Sequence, residues 1–339
     1  MKILDNYSLI DNNTFKIDVR ALRFIEYYED KDIIDFTKSN PEIFKSEFLV
    51  IGEGSNILFT GDYNGCIIHP ATKGISVVSE DSEHCLVEVS AGVIMDDFIV
   101  WAINNSIFGL ENLSGIPGTV GASAVQNVGA YGAEAGDHIS EVKFLNLENF
   151  EIGILNNEEC KFGYRNSIFK NELKGKTIVL SVTYRLNKGF IPNLSYIDVK
   201  NYFSDHIDDN VTAFSVRKAV IEIRNRKLPD YKVFGNAGSF FKNPVIDEQK
   251  FEELKNKFPD IKYFPHSENK FKIAAGWMID RCNLKGFEYN GAAVDEKQAL
   301  VLINKNGATG KSVMELSGIL SKIVFDEFGV LLEPEVLIV

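Results

Sequence analysis

The chain has little that would tie it to a metal, a membrane or a polyanion. Its four cysteines, Cys66, Cys85, Cys160 and Cys282, stand far apart without a C-x-x-C pair, and its five histidines show no H-x-x-x-H spacing. The common zinc patterns are therefore missing, and free thiols with no bound metal are expected. No stretch approaches the run of about eighteen apolar residues that a membrane helix needs. The opening MKILDNYSLIDNNTF also lacks the apolar core of a secretory signal. A cytoplasmic protein without membrane insertion is the expectation. Positive charge is scarce too, since 36 Lys and Arg against 48 Asp and Glu leave a net charge of −12. This argues against nucleic-acid binding and makes any anionic ligand dependent on a local cluster of cations.

What the chain does have is apolar mass. With 45% hydrophobic residues and 25 Phe in 339 residues, it can bury more than one core, and its length suggests two or three lobes. The segment Gly109 to Gly132, GLENLSGIPGTVGASAVQNVGAYG, holds six glycines and one charged side chain, Glu111. Glycine permits left-handed backbone and close approach by another group at an entropic cost, so such a segment is either a cofactor cradle or a connection packed under a sheet.

In chain order, ALRFIEYYE, DKDIIDFTKS and SEFLVIGEGSNILFT read as strand, short helix and a strand entering a glycine turn. The turn Gly52-Glu53-Gly54-Ser55-Asn56 is no dinucleotide fingerprint, because position 57 is Ile and the chain continues as strand, turn, strand. Strands follow to Ala91. Met95, Phe98, Ile99, Ala102 and Ile103 then keep helical spacing, with Gly109 as the expected stop. VTAFSVRKAVIEIRNRK sets Val216, Ala219, Val220 and Ile223 on one helical face, and a boundary is expected near residue 205. Between Arg217 and Lys242 seven basic residues face two acids. FKIAAGWMIDRCNLKG reads as a helix ended by Gly286, and LLEPEVLIV as an apolar strand interrupted by Glu333 and Glu335. Gly310-Lys311-Ser312 imitates a phosphate-binding loop, but that motif needs a glycine at position 305, where the chain has Lys. Thr309 to Ser312 is read as a helix start instead.

Composition and spacing support an enzyme of two or three lobes with a cofactor loop and an anion site. GEGSN at 52–56, GIPGTVGASAVQNVGAYG at 115–132, CKFGYRNSIF at 160–169, GNAGSFFKNP at 235–244, AAGWMID at 274–280 and LEPEV at 332–336 go further. In that order and spacing they resemble UDP-N-acetylenolpyruvoylglucosamine reductase, the flavoenzyme family of bacterial peptidoglycan precursor synthesis known as MurB. The resemblance implies an α+β fold: a two-subdomain FAD-binding module of the vanillyl-alcohol-oxidase (PCMH) type plus an α+β substrate-binding domain. Residues 1–68 and 69–205 would form the two cofactor subdomains, 206–318 the substrate domain, and 319–339 a segment returning to the flavin.

The same resemblance implies the site. FAD, held without a covalent link, would contact Gly52, Glu53, Gly54, Ser55 and Asn56, then Gly115, Ile116, Pro117, Gly118, Gly121, Ala122, Ser123, Gln126, Asn127, Gly129, Ala130, Tyr131 and Gly132. Some relatives differ at Ala122 and Val128, so the cradle is open to local variation there. NADPH would reduce FAD, which would pass hydride to UDP-N-acetylglucosamine enolpyruvate in the same pocket. Arg165 and Glu335 would stabilise developing charge on the substrate carboxylate, and Ser239 would supply the proton. Tyr196, Lys227, Asn243 and Gln298 would bind the UDP-sugar, with a monomer expected. Two other readings stay open from the residues alone: another flavoprotein oxidoreductase of the same cofactor fold, and a colourless nucleotide-sugar binding protein.

Overall fold

The computed structural model describes residues 1–205 and 211–339. Two compact units emerge, one of residues 1–7, 21–53 and 64–226, the other of residues 8–20, 54–63 and 227–339. The first residue of the expected 206–318 domain lies outside the described residues. By contacts the two units part between Arg226 and Lys227.

The first unit is built on two sheets. One has four strands in the order Lys2–Ser8, Arg20–Tyr27, Tyr63–Pro70 and Phe48–Val50. The other is antiparallel, in the order Ile152–Asn156, Ile139–Asn146, Thr177–Asn187, His84–Ser90 and Ile75–Glu80. Its central strand, Thr177–Asn187, reads TIVLSVTYRLN and is buried along nearly its whole length. Burial on successive residues, without the alternation of a one-sided strand, is what covering on both faces produces. Ile178 and Leu180 join Ile25, Tyr27 and Ile33 in one core. Val182, Tyr184 and Leu186 join Phe98, Ile99 and Val120 in another.

Among the described residues five α-helices belong to this unit: α1 (Asp30–Ser39), α2 (Met95–Asn104), α3 (Val120–Gln126), α4 (Ile197–Asp205) and α5 (Ala213–Lys227, of which Lys227 falls in the second unit). The apolar spacing of α2 is as read from the sequence, but the helix ends at Asn104, not at Gly109. Asn105 already closes it with its N–H on Ala102 O and Trp101 O. Gly109, at φ +136°, answers a different need, since a Cβ there would lie 2.8 Å from the His138 ring. The helix α5 packs Val216, Val220 and Ile223 against Val199 of α4, which keeps it with the first unit.

The second unit carries α6 (Glu248–Lys257), α7 (Ala275–Arg281) and α8 (Gly310–Phe328). Phe251 of α6 stacks on Phe271 at 3.9 Å between centroids, over the sheet Val245–Asp247, Lys270–Ile273 and Tyr263–Ser267. The stretch expected to be one helix up to Gly286 is a strand followed by the seven-residue α7, which stops at Arg281. Only Leu337–Ile338 of the C-terminal run is a strand, parallel to Ile57–Leu58. Thr309 caps α8 as expected, its hydroxyl accepting Ser312 N–H at 3.1 Å while Ser312 Oγ accepts Thr309 N–H at 3.0 Å. Gly310 is glycine because a Cβ would lie 1.7 Å from Phe59 O, so the phosphate-loop look-alike is a helix–strand contact. Among the described residues no helix is long and apolar enough to cross a membrane.

Candidate active site

The glycine-rich loop of the first unit is held from behind. Gly115 N–H donates to Asp96 Oδ1 at 2.7 Å, and Gly118 N–H donates to Glu53 Oε2. Gly52 is packed so closely on the loop that its Cβ would meet Thr119 Oγ1 at 2.5 Å. The two glycine motifs are thereby clasped, and the amides of Gly115 and Gly118 point into protein, not outward to a ligand. Gly121, the next in line, backs onto Ala91 Cβ at 2.7 Å, under the start of α3. Thr119 caps that helix, and Asn127 ends it in the left-handed region at φ +45°.

The remaining cradle residues converge on the tip of a hairpin. Gly163 and Asn166 exchange backbone hydrogen bonds at 3.1 and 2.9 Å, which puts Tyr164 and Arg165 in a two-residue turn with Arg165 at φ +54°. A non-glycine residue there is strained, and such strain gathers at functional sites. From this tip Arg165 Nη1 donates to Gly129 O at 2.8 Å. Lys170 Nζ donates both to Arg165 O (3.0 Å) and to Gln126 Oε1 (2.6 Å). Asn127 closes the set, with Nδ2 donating to Gly163 O at 2.9 Å and Oδ1 accepting Gly136 N–H at 2.8 Å. Tyr131, also left-handed at φ +51°, receives the Tyr196 ring edge-on at 5.3 Å. Asn112 Nδ2 bridges Tyr131 O and Asn193 O at 2.8 and 2.9 Å, so the Tyr196 segment lies against the end of the cradle.

Sequence reasoning missed the cations and acids that face this loop. Arg224 sits beside Gly115, its Nε 3.5 Å from where a Cβ would stand. Burial pulls its guanidinium down from the ordinary value, against the opposing effect of a hydrogen bond with Tyr131 and of Asp96. Burial opposes the Asp96 charge as well, but hydrogen bonds from Arg217 and the Gly115 amide outweigh it and hold that carboxyl below its usual range. Glu111, 4% exposed, goes the other way: burial raises it, although both carboxylate oxygens accept Gly109 N–H. The seven-residue spacing of Arg217 and Arg224, two turns apart on one face of α5, was the signal available for Arg224.

Does this cradle suit a flavin? Two of its side-chain atoms are buried without a hydrogen-bond partner, Ser114 Oγ and Gln126 Nε2. Both can donate, and an isoalloxazine rim of carbonyl and ring nitrogen acceptors satisfies donors of this kind. Of the small residues of α3, Gly121, Ser123 and Ala124 are packed into the protein, and half-buried Ala122 presents only a methyl group. The residues present fit FAD.

In the second unit Gly54 is buried for a reason internal to the chain, since a Cβ would lie 2.0 Å from Asn12 O and its φ is +62°. Asn12 thus gives Gly54, an expected FAD contact, a reason internal to the chain to lack a side chain. Ser55 and Asn56 follow it, and Leu337 N–H donates to Asn56 O at 3.1 Å. Ser239 and Glu335 lie on neighbouring extended segments: Ser239 bridges Val301, Phe240 N–H donates to Leu300 O at 2.8 Å, and Glu335 N–H donates to Phe240 O at 2.8 Å. Phe240 and Phe241 are buried while Ser239 is exposed, so Ser239 is turned away from the core that its two neighbours enter. Gln298 leads into the same segment, with Val301 N–H on its carbonyl at 2.9 Å. Asn243 Oδ1 accepts Ala275 N–H at 2.9 Å, a structural duty at the start of α7 that leaves its amide donors for other use. Lys227 is the last residue of α5.

Residues 229–339 match the family model for the C-terminal domain of UDP-N-acetylenolpyruvoylglucosamine reductase, and residues 32–149 match the FAD binding domain. The UDP-N-acetylenolpyruvoylglucosamine reductase of Flavobacterium johnsoniae is 41% identical over 337 residues, covering 99% of both chains. The chain belongs to the UDP-N-acetylenolpyruvoylglucosamine reductase family. The enzyme of that name from Neisseria gonorrhoeae is 44% identical, with 95% of this chain and 93% of that one covered. The crystal structure of UDP-N-acetylenolpyruvylglucosamine reductase (MurB) from Thermus caldophilus superposes with a TM-score of 0.68 over 99% of this chain and 98% of that chain, at 20% identity. It shows the reductase fold, α+β with an FAD-binding module and a reductase C-terminal domain.

Proposed function

We propose that this chain reduces UDP-N-acetylglucosamine enolpyruvate to UDP-N-acetylmuramate with NADPH as electron source and FAD as relay, a step of peptidoglycan precursor synthesis. The observation that carries the reading is identity of 41% along 99% of both chains with a reductase of that name. FAD, when bound, supplies the two-electron chemistry linking NADPH to the enolpyruvyl double bond. Ser114 and Gln126, with their spare donors, and the loop Gly115 to Gly132 would hold it, joined by Gly52 to Asn56.

The chain's own part in the reduction is charge and proton management. Hydride addition to the terminal carbon of an α,β-unsaturated carboxylate moves negative charge onto the carboxylate, so a fixed cation there lowers the barrier. Arg165 takes that role, supported by its contact with Gly129 O, and Glu335 completes the carboxylate-binding side. Ser239 gives its hydroxyl proton to the adjacent carbon, so the double bond gains one hydride and one proton. Lys227 faces the diphosphate, while Tyr196, Asn243 and Gln298 hold the rest of the UDP-sugar. The division 1–68, 69–205, 206–318 and 319–339, a monomeric state and a cytoplasmic setting, where nucleotide sugars and NADPH are made, belong to the same proposal.

Purified protein is expected to be yellow, to bleach with NADPH under anaerobic conditions and to regain colour when the enolpyruvyl UDP-sugar is added. A colourless protein that takes up no FAD would overturn this reading, and bleaching without recovery of colour would remove the substrate.

A further inference from the structure

The mechanism leaves unused a charged group behind the cradle. Asp96 lies in the first turn of α2, where the helix N-terminus favours an anion. Its Oδ1 accepts Gly115 N–H at 2.7 Å and also a hydrogen bond from Arg217 Nη1, while Oδ2 accepts Arg217 Nη2 at 2.8 Å. The fork is bidentate, the arrangement in which an Arg–carboxylate pair gains geometry as well as energy. It is also well sheltered, with side-chain exposure of 18% for Arg217 and 29% for Asp96. Arg224, seven residues further along α5 and on the same helical face, stands over Gly115 and interacts with Tyr131 and Asp96.

A single carboxylate therefore joins three parts of the first unit: α2, the cradle loop at Gly115, and the face of α5 that carries Arg217 and Arg224. Gly115 is held at φ +70°, one of several conformations open to glycine, and the Asp96 carboxylate on its amide fixes the loop in it. Glu53 does the matching work at the other end of the same loop through Gly118.

We propose that Asp96 is a positioning residue for the cofactor: by occupying the Gly115 amide and clamping Arg217, it keeps the Gly115–Gly118 loop and the Arg224 guanidinium in the arrangement that receives the flavin. This rests on the cradle being the FAD site. A role through charge alone has the opposite sign, because removing an acid from beside an anionic cofactor strengthens binding, whereas loss of positioning weakens it. That difference in sign makes the two separable.

The test follows FAD leaving the purified holoprotein, by the rise of flavin fluorescence on dilution. Asp96→Ala should release FAD about ten- to a hundredfold faster, the range of a hydrogen bond to a charged group. Asp96→Asn, which can still accept the Gly115 amide but loses the fork, should fall between, as should Arg217→Lys. The visible circular dichroism of the flavin that remains bound should change in Asp96→Asn while the far-ultraviolet spectrum does not, a signature that a merely structural role would leave in place. Asp97→Asn, exposed on the same helical turn, is the control and should release FAD at the wild-type rate. If Asp96→Ala does not fold, Asp96→Asn and Arg217→Lys decide. Release at or below the wild-type rate, an unchanged visible band, or equal acceleration in Asp97→Asn would overturn the proposal. Wild-type protein that never holds FAD would overturn the proposed function instead.

Discussion

The candidate site residues of the first unit and those of the second are held by different means. In the first unit the cradle is locked by side chains turned inward: Asp96 and Glu53 on glycine amides, Asn127 on the Arg165 hairpin, Lys170 between Gln126 and Arg165. Left-handed residues that are not glycine, Asn127, Tyr131 and Arg165, accumulate there. In the second unit Ser239 and Glu335 ride on a plain backbone ladder, with buried Phe240 and Phe241 fixing the direction of Ser239. The lesson is that the loop proposed to hold the cofactor is strained and over-determined backbone, whereas the proposed proton donor sits on a plain strand whose core-facing neighbours are large. Perturbing the loop should therefore disturb binding and stability together. Perturbing Ser239 should disturb chemistry alone.

The largest effect expected is at Ser239. Ser239→Ala should keep FAD and accept hydride from NADPH at close to the wild-type rate, yet lose about a hundred- to ten-thousandfold in reoxidation by the enolpyruvyl substrate. Stopped-flow absorbance of the two half-reactions checks this, and equal reoxidation rates would give the proton to another group. Next comes Gly54→Ala, where a Cβ would lie 2.0 Å from Asn12 O at φ +62°. The clash and the left-handed conformation together should cost about 2–4 kcal/mol, seen as a lower urea midpoint of the whole protein. Selective loss of FAD with an unchanged midpoint would make a ligand contact, not Asn12, the reason for that glycine.

Smaller effects separate binding from charge. Lys227→Ala should weaken the UDP-sugar by about 1.5–3 kcal/mol in a calorimetric titration, and an unchanged affinity would remove Lys227 from the site. The two buried carboxylates near the cradle should respond to pH in opposite senses. Asp96 is lowered in the fold, so its contribution to stability is present above its unfolded value of about 3.9 and is lost as pH falls through the lower folded value. Glu111 is raised, so its contribution is complete below about 4.3 and is lost as pH rises through the folded value. Urea midpoints against pH should then be flatter above pH 4.3 in Glu111→Gln and flatter below pH 3.9 in Asp96→Asn. Curves parallel to wild type would show that neither carboxyl senses the fold.

Much of the local structure was legible in the chain. The periodicity of α2 and α5 and the Thr309 cap are local patterns with local causes. Helix ends were less so. Gly109 and Gly286 looked like stops because a glycine after an apolar run usually is one, yet α2 and α7 end five residues earlier. The expected roles of Arg165, Ser239 and Glu335 came from motif resemblance, since nothing in the spacing of an Arg, a Ser and a Glu joins them.

By itself the sequence determined the α+β character, the glycine loop as organiser and the ordered set of motifs that marks the family, because periodicity and motif order are written along one dimension. Only the tertiary structure decided which neighbour each glycine yields to: Thr119 for Gly52, Asn12 for Gly54, Phe59 for Gly310. It also decided that Asp96 serves Gly115 and Arg217, 19 and 121 positions away, and that Asn243 supports α7. Steric contact and hydrogen bonding act across a few ångströms of space without regard to separation along the chain, so these assignments exist only once the chain has folded.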